Sequence, residues 1–191
     1  MKRAQFREQI ASVPLEKLVF LDECGVSLNL CRPYGWGLRG PLEEAVPFNK
    51  GINCSVLGAF SLPTATCPTG MQALWQKLGA WTRETFEAFL QDGLLPLLEP
   101  GHVLVLDNAR IHHGGQIEKI VREAGCSLLY LPPYSPDFNP IELVWGWIKG
   151  KVRILAPRDD LERETAIDTS AKQLPPQAAY HWFKHCHLLA S

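Results

Sequence analysis

Nothing in the chain approaches the ~18 consecutive apolar residues that a membrane span needs, and the polar start MKRAQFREQI has no apolar signal core. The cytoplasm is therefore the default compartment. No CxxC pair occurs among the six cysteines (Cys24, Cys31, Cys54, Cys67, Cys126 and Cys186), which excludes a zinc ribbon and a redox motif. Reduced, mostly buried thiols are the expectation. The chain has little net charge: a balance of −1 excludes a protein that coats nucleic acid by bulk electrostatics, so any DNA contact must use local patches. Internal repeats and low-complexity segments are also missing. What is present, 46% hydrophobic and 20% charged residues over 191 positions, suits one compact globular domain.

Residues 1–14 read as a short helix ended by Pro14, followed by the apolar run Leu18-Val19-Phe20-Leu21, a buried strand running into Asp22. Residues 26–31 and 52–60 read as two further strands, joined by a Gly- and Pro-containing connection that holds Tyr34-Gly35-Trp36-Gly37. Apolar residues at 86, 89, 90, 94 and 97 predict a helix from Thr82 to Leu98, with Thr82 as its N-cap and Glu84 in the first turn. Val103-Leu104-Val105-Leu106 is a second buried strand, and it too runs straight into an aspartate, Asp107. A helix over 115–124 stopped by Gly125, a strand over 127–131 closed by Pro132-Pro133, and a helix from Asn139-Pro140 to about Leu155 follow. Residues 159–173 read as a polar helix, and the tail carries no clear element. The continuous aliphatic strands predict a sheet covered on both faces.

In an open α/β sheet, ligands bind where strands deliver their carboxyl ends, and here two strands each deliver an aspartate. Carboxylates held side by side repel, and without a cation one of them is driven to a raised pKa. A divalent ion removes the conflict, and hard oxygen donors with few histidines favour Mg²⁺ or Mn²⁺ over zinc. Glu142 is the third candidate. Asn139-Pro140-Ile141-Glu142 is equally a capping-box pattern, in which Glu142 would only cap its helix. At 100° per residue, that helix places Ile141, Trp145, Ile148, Val152 and Leu155 on one buried stripe. Glu142, Lys149 and Arg153 share its flank, a carboxylate at the start and two cations further along, as a site for a metal and a phosphate backbone needs.

Three segments resemble the mariner-like superfamily of DDE transposases, particularly those of bacterial insertion sequences. They are Leu18-Val19-Phe20-Leu21-Asp22-Glu23, Val105 to His112 (VLDNARIH), and Leu131 to Trp145 (LPPYSPDFNPIELVW). The last is highly specific, and 34 residues separate Asp107 from Glu142, a spacing similar to the family's. The resemblance covers roughly residues 5–155. It implies a ribonuclease H-like α/β fold, a central mixed five-stranded sheet flanked by helices, with Asp22, Asp107 and Glu142 as catalytic and metal-binding residues. Asp137 and Glu23 are the nearest rival carboxylates, but neither falls at the matching motif position.

The chemistry implied is metal-dependent cleavage of a DNA phosphodiester at an element's end, then attack of the freed 3′ hydroxyl on target DNA, with two Mg²⁺ or Mn²⁺ ions. Double-stranded DNA is the implied partner, a TA dinucleotide the implied target and a homodimer the implied assembly. His112 is a candidate DNA contact near the scissile phosphate or a plain loop histidine. Trp36 with Arg32, Arg39 and Lys50 offers an aromatic among cations that would stack on an unpaired base, unless Trp36 packs in the core. Lys149 and Arg153 complete the expected DNA-binding set, against the alternative of a solvated helix face. His181, His185, Cys186 and His187 match no zinc motif in full.

The reading divides the chain into a remnant linker helix (1–14), a catalytic domain (15–158) and a C-terminal helical tail (159–191). Family members resemble one another in carrying N-terminal helix-turn-helix units, and about 14 residues before the first strand are too few for one. A separately encoded recognition part or a truncated relic is expected instead. A structure-directed ribonuclease H-like nuclease and an inactive or adopted DNA-binding remnant are the competing readings.

Overall fold

The computed structural model describes residues 3–30 and 51–189. Helix α1 (Arg3–Ala11) leads into strand β1 (Leu18–Val26), followed by β2 (Cys54–Phe60) and β3 (Met71–Leu78). Then come α2 (Arg83–Ala88), β4 (Val103–Leu106), α3 (Ile117–Glu123), β5 (Ser127–Tyr130), α4 (Ile141–Leu155), α5 (Asp160–Lys172) and α6 (Pro176–His185). The strands form one sheet in the order β3-β2-β1-β4-β5. Its first three strands are antiparallel neighbours, whereas β1, β4 and β5 run parallel, so the expected mixed five-stranded sheet is present.

Both faces are covered, as the continuous aliphatic strands imply. Leu18, Phe20, Cys24 and Val26 of β1 point toward α1, α4, α5 and α6, where Trp145, Ile148, Ile167 and Phe183 complete one core. The alternate residues Val19 and Leu21 join Leu104, Leu106, Phe86 and Val121 in a second core under α2 and α3. This two-residue alternation decides the site, because it sends Asp22 to the α4 face and Glu23 to the other.

Several expectations are corrected. Asp22 does not end its strand: β1 continues through it to Val26, in register with β2, where Asp22 lies opposite Gly58. Of the strand expected over 26–31, the described residues 27–30 form a turn after Val26, with Leu30 N donating to Ser27 O at 3.3 Å, and residue 31 lies outside the described residues. The third strand of the meander is β3 instead, a segment whose half-buried MQALWQKL pattern shows no clean alternation because it lies at the sheet edge. The helix expected over 82–98 starts as read, with Thr82 accepting from Thr85 N in a capping box. Only 83–88 is regular, however. Wider turns follow over 89–94 and a tight 3₁₀ turn over 95–97, where Pro96 has no N–H for the helical ladder. Leu155 is exposed and not part of the buried stripe, while Val144 joins it. The polar helix after 159 is α5, capped by Asp159 through Glu162 N at 2.8 Å, and the unassigned tail is α6. Cys24, Cys54, Cys126 and Cys186 are buried free thiols, as expected, Cys67 is partly exposed, and Cys31 lies outside the described residues. No described helix is long and apolar enough to cross a membrane.

Candidate active site

Asp22 occupies a nearly closed position in the middle of β1, only 8% exposed. Its Oδ2 accepts a hydrogen bond from the indole Nε1 of Trp145 at 3.2 Å. The ring reaches that carboxylate over Gly58, the residue opposite Asp22 on β2. A Cβ at position 58 would stand 2.6 Å from Trp145 Cη2, so the close approach requires glycine. Trp145 lies one turn beyond Glu142 on α4, and it thereby ties the helix that carries the glutamate to the strand that carries the aspartate.

Asp107 follows immediately after β4. Its Oδ1 accepts from Ala109 N at 2.8 Å, closing a turn, and also bonds His112 Nδ1 at 2.7 Å. The hydrogen bond from His112 holds the Asp107 carboxyl below the usual range. The other ring nitrogen of His112 bonds Glu23 Oε1 at 2.8 Å, and the ring centroid lies 4.6 Å from that of Phe86. Burial alone would push the imidazole down, but Asp107 and Glu23 outweigh it and raise its pKa to about 9. His112 is thus an imidazolium clamped between two carboxylates.

That placement corrects the expectation for His112. Its side chain is fully buried with both nitrogens engaged, so it has no surface with which to meet DNA. Glu23, one of the two rival carboxylates, belongs to this clamp. Asp137, the other, pairs with Arg3 at the surface.

Glu142 is exposed in the first turn of α4. The capping box that competes for it does not form: no side-chain cap bond is made, and the buried Asn139 Oδ1 has no hydrogen-bond partner. Asp22, Asp107 and Glu142 together line one cavity of about 460 Å³, whose remaining wall is Asn108, Ala109 and the proline-rich segment after β5. Burial first, then the charges of Glu142, Glu23 and Asp107, push the Asp22 carboxyl up to about 7. Among the described residues, no three His, Cys, Asp or Glu side chains are drawn together closely enough to hold an ion as they stand. A larger groove of about 580 Å³, between α1 and the turn after α6, has no carboxylate in its lining.

Lys149 and Arg153 are half-buried on the same flank of α4, and Lys149 lies near enough to β1 to act on Cys24. Burial still pushes that thiol up to about 12. Arg32, Trp36, Arg39 and Lys50 lie outside the described residues. Trp145 and Gly58 were missed by sequence reasoning as site residues. The traces of Trp145 are its place on the buried stripe of α4 and at the end of the Leu131 to Trp145 motif, and Gly58 leaves none.

A mixed five-stranded sheet with helices on both faces gives the chain a ribonuclease H-like fold. The chain matches the DDE superfamily endonuclease family over residues 17–163, and it belongs to that family. A curated relative, the Transposable element Tcb1 transposase of Caenorhabditis briggsae, is 24% identical over 148 residues, 75% of this chain and 52% of the relative. The chain therefore spans about half the length of that protein. Among solved structures, the catalytic domain of Mos1 mariner transposase is similar with a TM-score of 0.61 at 12% identity, covering 98% of this chain and 89% of that one. The mariner Mos1 paired-end complex with Mg gives 0.67 at 13% identity, covering 96% and 57%. A Mos1 paired-end complex has also been solved with Mn, with a TM-score of 0.65 at 15% identity, covering 98% and 60%. At these identities the likeness concerns the fold.

Proposed function

We propose that the chain is the catalytic domain of a cut-and-paste DNA transposase, in which Asp22, Asp107 and Glu142 hold two Mg²⁺ or Mn²⁺ ions. The observation that carries this reading is that three carboxylates from three distant elements face one cavity. Their donor chemistry fits: all are hard oxygens, and the Asp22 carboxyl, raised by burial first and by the facing carboxylates second, is one whose ionised form a cation would favour. Asp107 has Oδ1 held by Ala109 and His112, which orients Oδ2 as the ligand atom. Ions bound there would lower the pKa of an attacking water and stabilise charge on the transferring phosphoryl group.

The substrate of this reading is double-stranded DNA, cleaved at a transposon end and then joined by its 3′ hydroxyl to target DNA, with a TA dinucleotide as the target and a homodimer as the assembly. Lys149 and Arg153 neutralise backbone phosphate along the flank of α4, and Arg32, Trp36, Arg39 and Lys50 supply further DNA contacts. Residues 15–158 form the catalytic unit, 1–14 a linker helix and 159–191 a helical tail. The compartment of this reading is the cytoplasm.

The test is a Mn²⁺-dependent nicking and joining assay on a pre-cut terminal-repeat substrate, with a helix-turn-helix recognition part fused to the chain. Asp22→Asn, Asp107→Asn and Glu142→Gln should each abolish nicking, and any double variant should lose little more, because residues acting as a unit are not additive. Glu142→Gln is decisive. It keeps the side chain's size while removing the charge, so a folded variant nicking at the wild-type rate would remove Glu142 from the site. Cleavage without joining of a supplied 3′ end would mark a structure-directed nuclease instead.

A further inference from the structure

The proline-rich segment after β5 walls the carboxylate cavity, and Tyr134 stands at its tip in an unusual state. The side chain is 100% exposed, the most exposed large hydrophobic residue among those described, and its backbone is left-handed at φ 53°. A left-handed conformation is uncommon for any residue with a Cβ and an outlier for a bulky aromatic one. Strain of this kind persists only where the surroundings over-determine it, and it gathers at ligand-binding segments.

The surroundings here do over-determine it. Pro133 precedes Tyr134, and Ser135, which follows, is only 4% exposed. Ser135 Oγ donates to Pro133 O at 3.2 Å and accepts from Arg3 Nη1 at 2.9 Å, while Asn108 Nδ2 ties Leu131 O to the segment that bears Asp107. The loop is therefore pinned on both sides of one residue whose ring is given wholly to solvent. Tyr134 lines the same cavity as Asp22, Asp107 and Glu142.

We propose that Tyr134 is a stacking platform for an unpaired nucleobase, the base attached to the phosphate that enters the carboxylate cavity. The proposal rests on the DNA-cleavage reading for the identity of its ligand. A phosphate held at the cavity through cations bound by the carboxylates would carry its own base with it, so a ring on the cavity rim would meet that base first. Inside a duplex both faces of a base are covered by its neighbours, and only a displaced or terminal base can offer a face to the tyrosine. Stacking of this kind tolerates any base, because each has a π-face. A rigid loop with a preset ring also loses little freedom on binding.

The experiment uses a short duplex with a three-nucleotide single-stranded 3′ tail whose first unpaired base is 2-aminopurine, with Ca²⁺ in place of Mg²⁺ so that no strand is cut. Binding by the wild-type chain should quench the fluorescence. Tyr134→Trp should quench as well, whereas Tyr134→Leu, equally apolar but not planar, should leave the probe bright. Affinity for the tailed duplex should fall roughly 5- to 150-fold in Tyr134→Ala, with affinity for a blunt duplex unchanged. Equal quenching by Tyr134→Leu and wild type, or none by wild type at saturation, overturns the proposal. So does a Tyr134→Ala variant with unchanged DNA binding that loses self-association in sedimentation, which would assign the ring to a protein contact. A wild-type chain that quenches the tail yet never nicks with Mn²⁺ overturns the cleavage reading and leaves this one standing. One that nicks while Tyr134→Leu still quenches does the reverse.

Discussion

His112 joins Glu23 to Asp107 through the two nitrogens of one wholly buried ring, at 2.8 and 2.7 Å. Glu23 belongs to β1 and Asp107 follows β4, so the ring links neighbouring parallel strands on the face away from α4.

The first prediction concerns pH. The folded-state pKa of His112 is raised to about 9 from an ordinary 6.5, so the folded chain holds a proton that the unfolded chain releases between those values. The stability due to the clamp is fully present below pH 6.5 and is lost as pH rises through 9. His112→Asn should lower the melting temperature by several degrees at pH 6, on the order of the 3 kcal/mol that breaking a buried ion pair costs, and the difference from wild type should shrink toward pH 10. A pH-independent difference in a thermal series from pH 6 to 10 would reject the charged clamp.

Asp22 predicts the opposite effect of substitution. Its carboxyl is raised from 3.8 to about 7 by burial and by the facing carboxylates. Between those values the folded state keeps a proton that the unfolded state has lost, so stability falls as pH rises from about 4 and the full penalty applies above 7. Without divalent metal, Asp22→Asn should be more stable than wild type at pH 8, on the order of 2 to 4 kcal/mol in urea unfolding, and no more stable at pH 4. Added Mg²⁺ or Mn²⁺ should stabilise wild type and not the variant. A destabilised Asp22→Asn at pH 8 would show that the carboxylate is paid no such penalty.

Trp145 holds Asp22 without sharing its charge. Trp145→Phe keeps an aromatic ring beside Gly58 and deletes the N–H, at a cost to stability of about 1 kcal/mol. Under the metal-dependent reading, Asp22 loses its orientation, and the Mn²⁺ concentration for half-maximal nicking should rise several-fold with the maximal rate less affected. Gly58→Ala should displace the same indole and destabilise by about 1 to 3 kcal/mol through overpacking. An unchanged Mn²⁺ titration in a folded Trp145→Phe protein would reduce the tryptophan to core packing.

Lys149 and Arg153 are predicted to supply affinity that ignores sequence. Replacing both with alanine should weaken binding to unrelated duplexes alike and flatten the plot of log affinity against log salt by up to about 1.8. An unchanged slope would return the pair to an ordinary solvated helix flank.

How much of this was legible depended on how local its causes were. Val103 to Leu106 and the stripe of α4 announce themselves by continuous or periodic apolar residues, and Thr82 by its capping pattern. Asp22 was read as ending its strand because the apolar run that marks the strand stops at Leu21, and two carboxylates follow it. They are tolerated because Trp145 meets one and His112 the other, partners 123 and 89 residues away that no window along the chain contains. The edge strand β3 was invisible for a related reason: with half-buried residues along most of its length, Met71–Leu78 lacks the contrast that marks a strand with one wet and one dry face. Glu142 was ambiguous because a capping residue and a metal ligand share one sequence pattern. The absence of any side-chain cap at α4 is visible only in three dimensions.

The bond from Trp145 to Asp22 also sets an order of events during synthesis. A chain emerging from the ribosome presents Asp22 early and Asp107 much later, but the wall that completes their cavity starts at residue 131 and the indole that orients Asp22 arrives only with α4. Parallel pairing of β1 with β4 must also wait for everything between them, and contacts so distant along a chain form slowly. A nascent or prematurely stopped chain that ends before residue 141 thus has two of the acidic groups but neither the third nor the indole that meets Asp22. Completion of the helix is the step that brings the third acidic group to the other two.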